Sequence, residues 1–359
     1  IACISMIGSV LDQTMRAKFY HLLHKFTEAS EKEYSVLLKS LYAEDCDWRG
    51  SYPLNEMVGV DAIYENAWQP LKRSFPDLER RDLIFMAGCY DGRDYIATMG
   101  HYCGNFEHDW LTIPASGKPT YIRYGEIHQI KEGKIVQSNC LWDILDVMRQ
   151  AGFWPMSPSS GEEGRWAGPI TGDGIRFTPG DKDLSATNLE QTLLMQKSLG
   201  DNNGPEHFTR EGLINMDQKN YWHPKMMWYG PSGIGTSRSL AGFVDYHQLP
   251  FRLAFPNRMS SSLWEGHEDL MKELNAGHYI RVGDGALSVT GGWPSVVSPH
   301  DGEFLGSGAT GKLLQMRVMD FYHHHEGLIR ENWVPIDIIF MMKQMGVDVF
   351  QRMHNEWSR

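Results

Sequence analysis

The chain repeats itself, and this constrains its folding more than any other feature. Trp48, Gly50, Pro70, Phe75 and Pro76 recur 180 positions later as Trp228, Gly230, Pro250, Phe255 and Pro256. A second block recurs at a spacing of 194: Gly117, Lys118, Arg123, Glu132, Gly133, Ile135, Asp143, Ile144, Met148, Gln150 and Gly152 return as Gly311, Lys312, Arg317, Glu326, Gly327, Ile329, Asp337, Ile338, Met342, Gln344 and Gly346. Such a pattern requires two copies of one fold, the second with a longer middle. The 359 residues exceed what one compact core usually organises. Between the copies, "PMSPSSGEEGRWAGPITGDGIRFTPGDKDLS" is rich in Pro, Gly and Ser and shows no periodicity. The expected division is a first domain over 1–154, a linker over 155–185 and a second domain over 186–359.

Each copy reads as helices, a short strand near Trp48 or Trp228, another helix, several antiparallel strands and a closing helix. "LDQTMRAKFYHLLHKFTEASEKEYSVLLKSLY" carries apolar residues at three- and four-residue intervals, and "NLEQTLLMQKSL" with "EGLINMDQKNYW" are weaker counterparts. Asp143 and Asp337 stand where N-caps belong, before "ILDVMRQAG" and "IIFMMKQMG", and Gly152 and Gly346 suit left-handed C-caps. The order predicts an α+β class, helices packed on one face of a curved sheet.

"LGSGATGKLL" (305–314) fits G-x-G-x-x-G through Gly306, Gly308 and Gly311, and fits a P-loop up to Leu313, which stands where Ser or Thr should bind Mg²⁺. Its first-half counterpart runs into "YIRYGEIHQI", whose alternation is that of a strand, and Pro119 sits where the phosphate-binding helix would begin. With strands after Gly-Lys and Glu132-Gly133 and Glu326-Gly327 as hairpin turns, the pattern is a loop entering a strand, and nucleotide binding is set aside.

The net charge of −11, without a basic stripe, argues against nucleic acid. No apolar run approaches the length of a membrane span, and the start "IACISMIGSV" lacks the basic leader of a signal peptide. Five cysteines, Cys3, Cys46, Cys89, Cys103 and Cys140, form an odd set without C-x-x-C, which fits reduced thiols and a cytoplasmic protein. In His323-His324-His325-Glu326 only His323 and His325 share a strand face, with no further ligand in view, so no metal is expected.

From His300 to Lys312, "HDGEFLGSGATGK" resembles the H-x-G-x-F-x-G-x-x-x-T-G-K signature of SnoaL-like polyketide cyclases, and "GLIRENWVPID" with "QMG" resembles their G-x-I-x-E-x-W-x-x-x-D and Q-x-G ending. The first half is a looser copy that keeps "GKI", Asp143 and "QAG" but has Gln137 and Asn139 in place of Glu and Trp. The resemblance implies two tandem nuclear transport factor 2-like conical barrels, each a curved antiparallel sheet on N-terminal helices around one apolar pocket. It implies chemistry without a cofactor, in which a pocket aspartate moves protons during an intramolecular aldol closure. That aspartate lies seven residues after the hairpin glycine, where this chain has Cys140 and Val334. The family's pocket histidine lies seven residues before it, where this chain has Glu126 and Asp320.

The candidate acid/base residues are therefore Asp320 and Glu126, with His300 from the loop motif. Alternation places Tyr124 and His128 beside Glu126, and Tyr322 and His324 beside Asp320. These four, with Trp48, Trp228, Asn332 and Cys140, are the candidate substrate contacts. Asp143 and Asp337 are assigned to capping, and Glu331 to an ion pair, with Arg317 as the candidate partner. The function expected is cofactor-free proton transfer of cyclase, isomerase or lyase type on an apolar oxygenated molecule, carried by the second half, whose signatures are more complete. The alternative is a binding or carrier protein with degenerate cyclase pockets. The expected partner is the small-molecule ligand, with the halves as an internal pseudo-dimer; the sequence leaves open whether that pairs again as a homodimer.

Overall fold

In the computed structural model the described residues are 11–164, 166–260, 269 and 276–357. They fall into two compact units, one from residues 1–153 with 167–181 and one from residues 154–166 with 182–359. The apolar start and Cys3 lie outside the described residues.

Each unit builds one sheet with the same strand order. The first contains β1 (Tyr42–Gly50), β2 (Glu56–Val58), β3 (Glu79–Tyr90), β4 (Arg93–Asn105), β5 (Pro119–Lys131) and β6 (Lys134–Trp142), arranged β2-β1-β6-β5-β4-β3. The second contains β7 (Trp222–Tyr229), β8 (Thr236–Arg238), β9 (Met259–Ser260), β10 (Ile280–Asp284), β11 (Leu287–Pro299), β12 (Leu313–His325) and β13 (Leu328–Trp333), arranged β8-β7-β13-β12-β11-β10 with β9 also on β11. All pairs are antiparallel except β1 with β6 and β7 with β13. These parallel pairs join the strand after the first helices to the last strand of the same copy.

Glu132-Gly133 and Glu326-Gly327 have positive φ at both residues (52° and 74°; 55° and 78°). This is the I′ geometry whose twist matches the strands it joins. β12 starts directly after "GATGK", so a strand leaves the glycine loop, as its alternation predicts. Asp143 accepts from Asp146 N and Asp337 from Phe340 N, capping helices Ile144–Gln150 and Ile338–Gln344, and Gly152 and Gly346 follow at φ 97° and 88°. Each aspartate also pairs with a buried arginine of the adjoining strand, Arg123 at 2.8 Å and Arg317 at 3.1 Å.

The helix Gln13–Glu28 buries Phe19, Leu23 and Phe26 at helical spacing, and Asp12 caps it by accepting from Met15 N at 2.9 Å. In the second unit the helix Lys182–Asp201 buries Asn188, Thr192, Met195 and Ser198, a more polar stripe. Its start lies inside the segment read as a linker. That segment is also engaged on both sides of Trp166: in the second unit Glu162 bridges to Thr236, and in the first Ile175 bridges to Phe85. Both units widen a helix into a π turn just before Pro70 and Pro250, over Tyr64–Trp68 and Val244–Gln248. A π turn rotates the residues that follow it, and such turns concentrate at functional sites.

Candidate active site

In the first unit Glu126 is buried on β5 among close polar partners. Its side chain is 1 % exposed. One carboxylate oxygen accepts from Tyr102 Oη at 2.5 Å and Trp142 Nε1 at 3.0 Å; the other faces Arg80 Nη1 at 3.3 Å, Arg80 Nη2 at 3.4 Å and His128 Nε2 at 3.1 Å. Burial alone would raise its pKa, but the Arg80 guanidinium, then His128 and Tyr102, pull it down to about 2. A carboxylate so saturated is a poor proton acceptor at neutral pH. Glu126, expected from the sequence as a base, is therefore corrected to the anchor of a buried polar cluster. Tyr124 stacks on Arg80, 4.7 Å from the guanidinium carbon, and His128 Nδ1 bonds Ser138 Oγ at 2.7 Å. Trp48 packs edge-on against Trp142, and burial pushes the Cys140 thiol well above its ordinary pKa.

In the second unit the equivalent place is open. A cavity of about 450 Å³ lies between β12 and the helices, within the usual range for small-molecule pockets (~300–1,000 Å³). The repeat explains it. Adding 194 to Tyr124, Trp142 and Trp110 leads to Val318, Ile336 and Phe304, and adding 180 to Trp68 leads to Gln248 at the end of the matching π turn. Tyr102 pairs with Ile122 as Val296 pairs with Met316, so Tyr102 corresponds to Val296. All five second-unit residues line the cavity, and their first-unit counterparts are buried aromatics. Smaller side chains at equivalent positions turn a filled core into a pocket.

Asp320 on β12 faces this cavity with its side chain 14 % exposed. No Lys or Arg among the described residues pairs with it; its neighbours are Asn332 Nδ2 at 3.4 Å, the Tyr322 phenol, and His278 Nδ1 at 3.9 Å. Burial pushes the carboxyl up to about 7, against small opposing effects from Asn332 and Tyr322. Burial likewise drives His278 down to about 4, so it is neutral beside the acid. Gln196 Nε2 donates to Thr290 Oγ1 at 2.8 Å and to Tyr322 Oη at 3.0 Å, which leaves the phenol hydrogen for Asp320. The result is a carboxyl that can gain or lose a proton near neutral pH, surrounded by fixed neutral donors.

The other sequence candidates divide. Tyr322, Asn332 and Trp228 line the cavity, Trp228 stacking on His247 at 4.1 Å. His324 shares a strand face with Asp320 but is closed off by Gln191 at 2.9 Å and Thr192 at 3.0 Å. His300 is buried in its loop, bonded through Nδ1 to Thr310 Oγ1 at 3.0 Å and packed on Phe255. Its backbone accepts from Thr310 N and Gly311 N, so its place is in shaping the loop that carries Phe304. Its repeat counterpart is Phe106, which makes the same backbone bond to Lys118 that His300 makes to Lys312. Glu331 is paired with His323 at 2.8 Å, whereas Arg317 pairs with Asp337 and stacks on Phe340. Among the described residues no group of three His, Cys, Asp or Glu is placed to hold a metal. No helix among them is long and apolar enough to cross a membrane.

Gln196, Thr290, His278 and His247 were not evident as site residues in the sequence. Thr290 had a signal: it pairs with Asp320 as Thr98 pairs with Glu126. The cavity itself is open to a direct test. Val318→Tyr restores the first-unit residue and should weaken binding of the fluorescent probe 8-anilinonaphthalene-1-sulfonate by about tenfold or more, overpacking costing roughly 1–3 kcal/mol. Unchanged fluorescence titrations would place the probe elsewhere.

No curated protein matches the chain. Among solved structures it is similar to IdmH of Streptomyces antibioticus (17 % identity, 38 % of this chain and 98 % of that one, TM-score 0.33) and to TsrD of Streptomyces laurentii (18 %, 40 % and 98 %, 0.32). AclR of Streptomyces galilaeus follows at 15 % identity, with 38 % and 97 % covered and a TM-score of 0.30. The family model for SnoaL-like polyketide cyclases matches residues 21–151 and 295–345, half of the chain and parts of both copies. Built as two α+β units of the same strand order and matched in each, the chain belongs to the SnoaL-like polyketide cyclase family.

Proposed function

We propose that the second unit catalyses proton transfer next to a carbonyl group of an apolar, oxygenated small molecule, with Asp320 as the base and the first unit as a filled structural partner copy. The observation that carries this reading is a carboxyl, pushed up to about 7 and without an Arg or Lys partner among the described residues, on the wall of an apolar cavity. Ionised Asp320 takes the proton, and the C–H electron pair becomes an enolate beside the Tyr322 phenol. The protonated carboxyl then returns its proton, either to another carbon, as in an isomerase, or to the alkoxide formed when the enolate carbon attacks a second carbonyl of the same molecule. Both closures balance with no further reactant.

The test uses exchange of the acidic C–H of 2-tetralone for deuterium in D₂O, followed by NMR. Exchange should rise with pH through an apparent pKa near 7, the value at which Asp320 ionises, then level off. Asp320→Asn should lower it by about 10²–10⁴-fold. Exchange unaffected by the substitution would remove Asp320 from the mechanism. A carrier role is the second reading, favoured by Val334 at the position where the family's aspartate is expected. It predicts tight binding that Asp320→Asn leaves unchanged and no catalysed exchange.

A further inference from the structure

We infer that the natural ligand of the second-unit cavity carries an anionic group, of carboxylate type, which Arg258 receives; the inference names the substrate class of the site proposed above and rests on that reading. Arg258 lines the cavity and is 9 % exposed. Its Nη2 donates to Leu199 O at 3.3 Å and to Asn203 Oδ1 at 2.7 Å, while Nη1 is buried with no hydrogen-bond partner among the described residues. No carboxylate among those residues pairs with it. Leaving a buried guanidinium nitrogen without an acceptor is costly, and a planar fork with one free arm suits a carboxylate.

Two further observations point the same way. Arg281 lines the same cavity, holding His278 O through Nε at 2.8 Å, and no carboxylate among the described residues pairs with it either. The repeat supplies the second. The counterpart of Arg258, 180 positions earlier, is Leu78, in the same backbone turn: Leu78 N donates to Phe75 O at 3.1 Å as Arg258 N donates to Phe255 O at 3.2 Å. Leu78 is buried in the unit whose equivalent space is filled by aromatics. At this position the guanidinium thus occurs only in the second copy. Burial lowers Arg258 to about 10, so it remains charged at neutral pH. The competing role is purely structural, since Leu199 lies in the last turn of the helix Lys182–Asp201, where a cation is favourable.

The experiment titrates the full chain with naphthalene-2-carboxylate and with naphthalene-2-carboxamide, read by tryptophan fluorescence. Wild type should bind the acid about tenfold more tightly than the amide, and Arg258→Gln should lose about tenfold or more for the acid alone. Arg258→Lys, which keeps the charge and guards against a folding defect, should retain part of the preference. Equal binding of acid and amide by wild type, or equal losses for both in Arg258→Gln, overturns the inference. Binding of neither probe contradicts this inference and the small-molecule reading together. An acid preference that depends on Arg258, beside deuterium exchange insensitive to Asp320→Asn, would leave the inference standing and remove the proton-transfer reading.

Discussion

Asp320→Asn is expected to stabilise the second unit at pH 8 by about 4 kcal/mol while lowering the proposed proton transfer by about 10²–10⁴-fold. The sign follows from the direction of the shift. Burial raises the folded-state pKa from 3.8 to about 7, so between those values the unfolded chain has released a proton that the folded unit still holds. Raising the pH therefore favours unfolding across that window, at ~1.4 kcal/mol per pH unit, and the penalty is constant above pH 7. Asparagine has no such penalty. Its advantage should be near zero below pH 4, grow through pH 5 to 7, and then level off. Urea unfolding of both proteins at a series of pH values measures it, and an advantage independent of pH would mean that Asp320 is not the buried acid described here. Gain of stability with loss of activity at one residue is the pattern of a site kept for its chemistry.

Glu126→Ala should do the reverse, costing the first unit about 3–5 kcal/mol and leaving exchange by the second unit intact. Removing the carboxylate leaves Tyr102, Trp142 and His128 short of their acceptor, and Arg80 loses its ion-pair partner on β5 while keeping its contacts to Asp82, Thr98 and Tyr102. The pH dependence is opposite in sign to that of Asp320. Glu126 is held down to about 2, so its contribution is complete above the ordinary carboxylate pKa of 4.5 and is lost as pH falls toward 2. Thermal melting between pH 6 and 2.5 should show the wild-type advantage over the alanine variant shrinking on acidification. An equal decline in both proteins would deny Glu126 its anchoring role.

Much of the fold was legible because local chemistry and the repeat agreed. The Glu-Gly turns, the capping aspartates and the strand after the glycine loop are each decided by a few neighbouring residues, and each occurs twice. The site was harder. The resemblance placed Glu126 and Asp320 at equivalent pocket positions, yet their fates diverge through residues far away in sequence: Arg80 lies 46 positions before Glu126, and no Arg or Lys among the described residues reaches Asp320. Identities between the copies reveal the shared scaffold, whereas the pocket is written in their differences. Tyr124 against Val318 and Leu78 against Arg258 were visible as letters, but their meaning needed the register of β4 on β5 and β11 on β12. His300, a motif residue expected to take part in the chemistry, is one whose Nδ1 and backbone bonds to Thr310 and Gly311 shape its loop.

The cavity carboxyl of Asp320 is expected to titrate near neutrality while its repeat counterpart Glu126 does not. Carbon NMR of the protein labelled at aspartate and glutamate carboxyls, followed from pH 4 to 9 in wild type and Asp320→Asn, tests it most directly. The structure predicts one aspartate signal moving with a midpoint near 7 that vanishes in the variant, and a Glu126 signal that stays unchanged across the range. If every aspartate signal has finished titrating by pH 5.5, Asp320 is an ordinary acid and the proton-transfer account of this cavity is wrong.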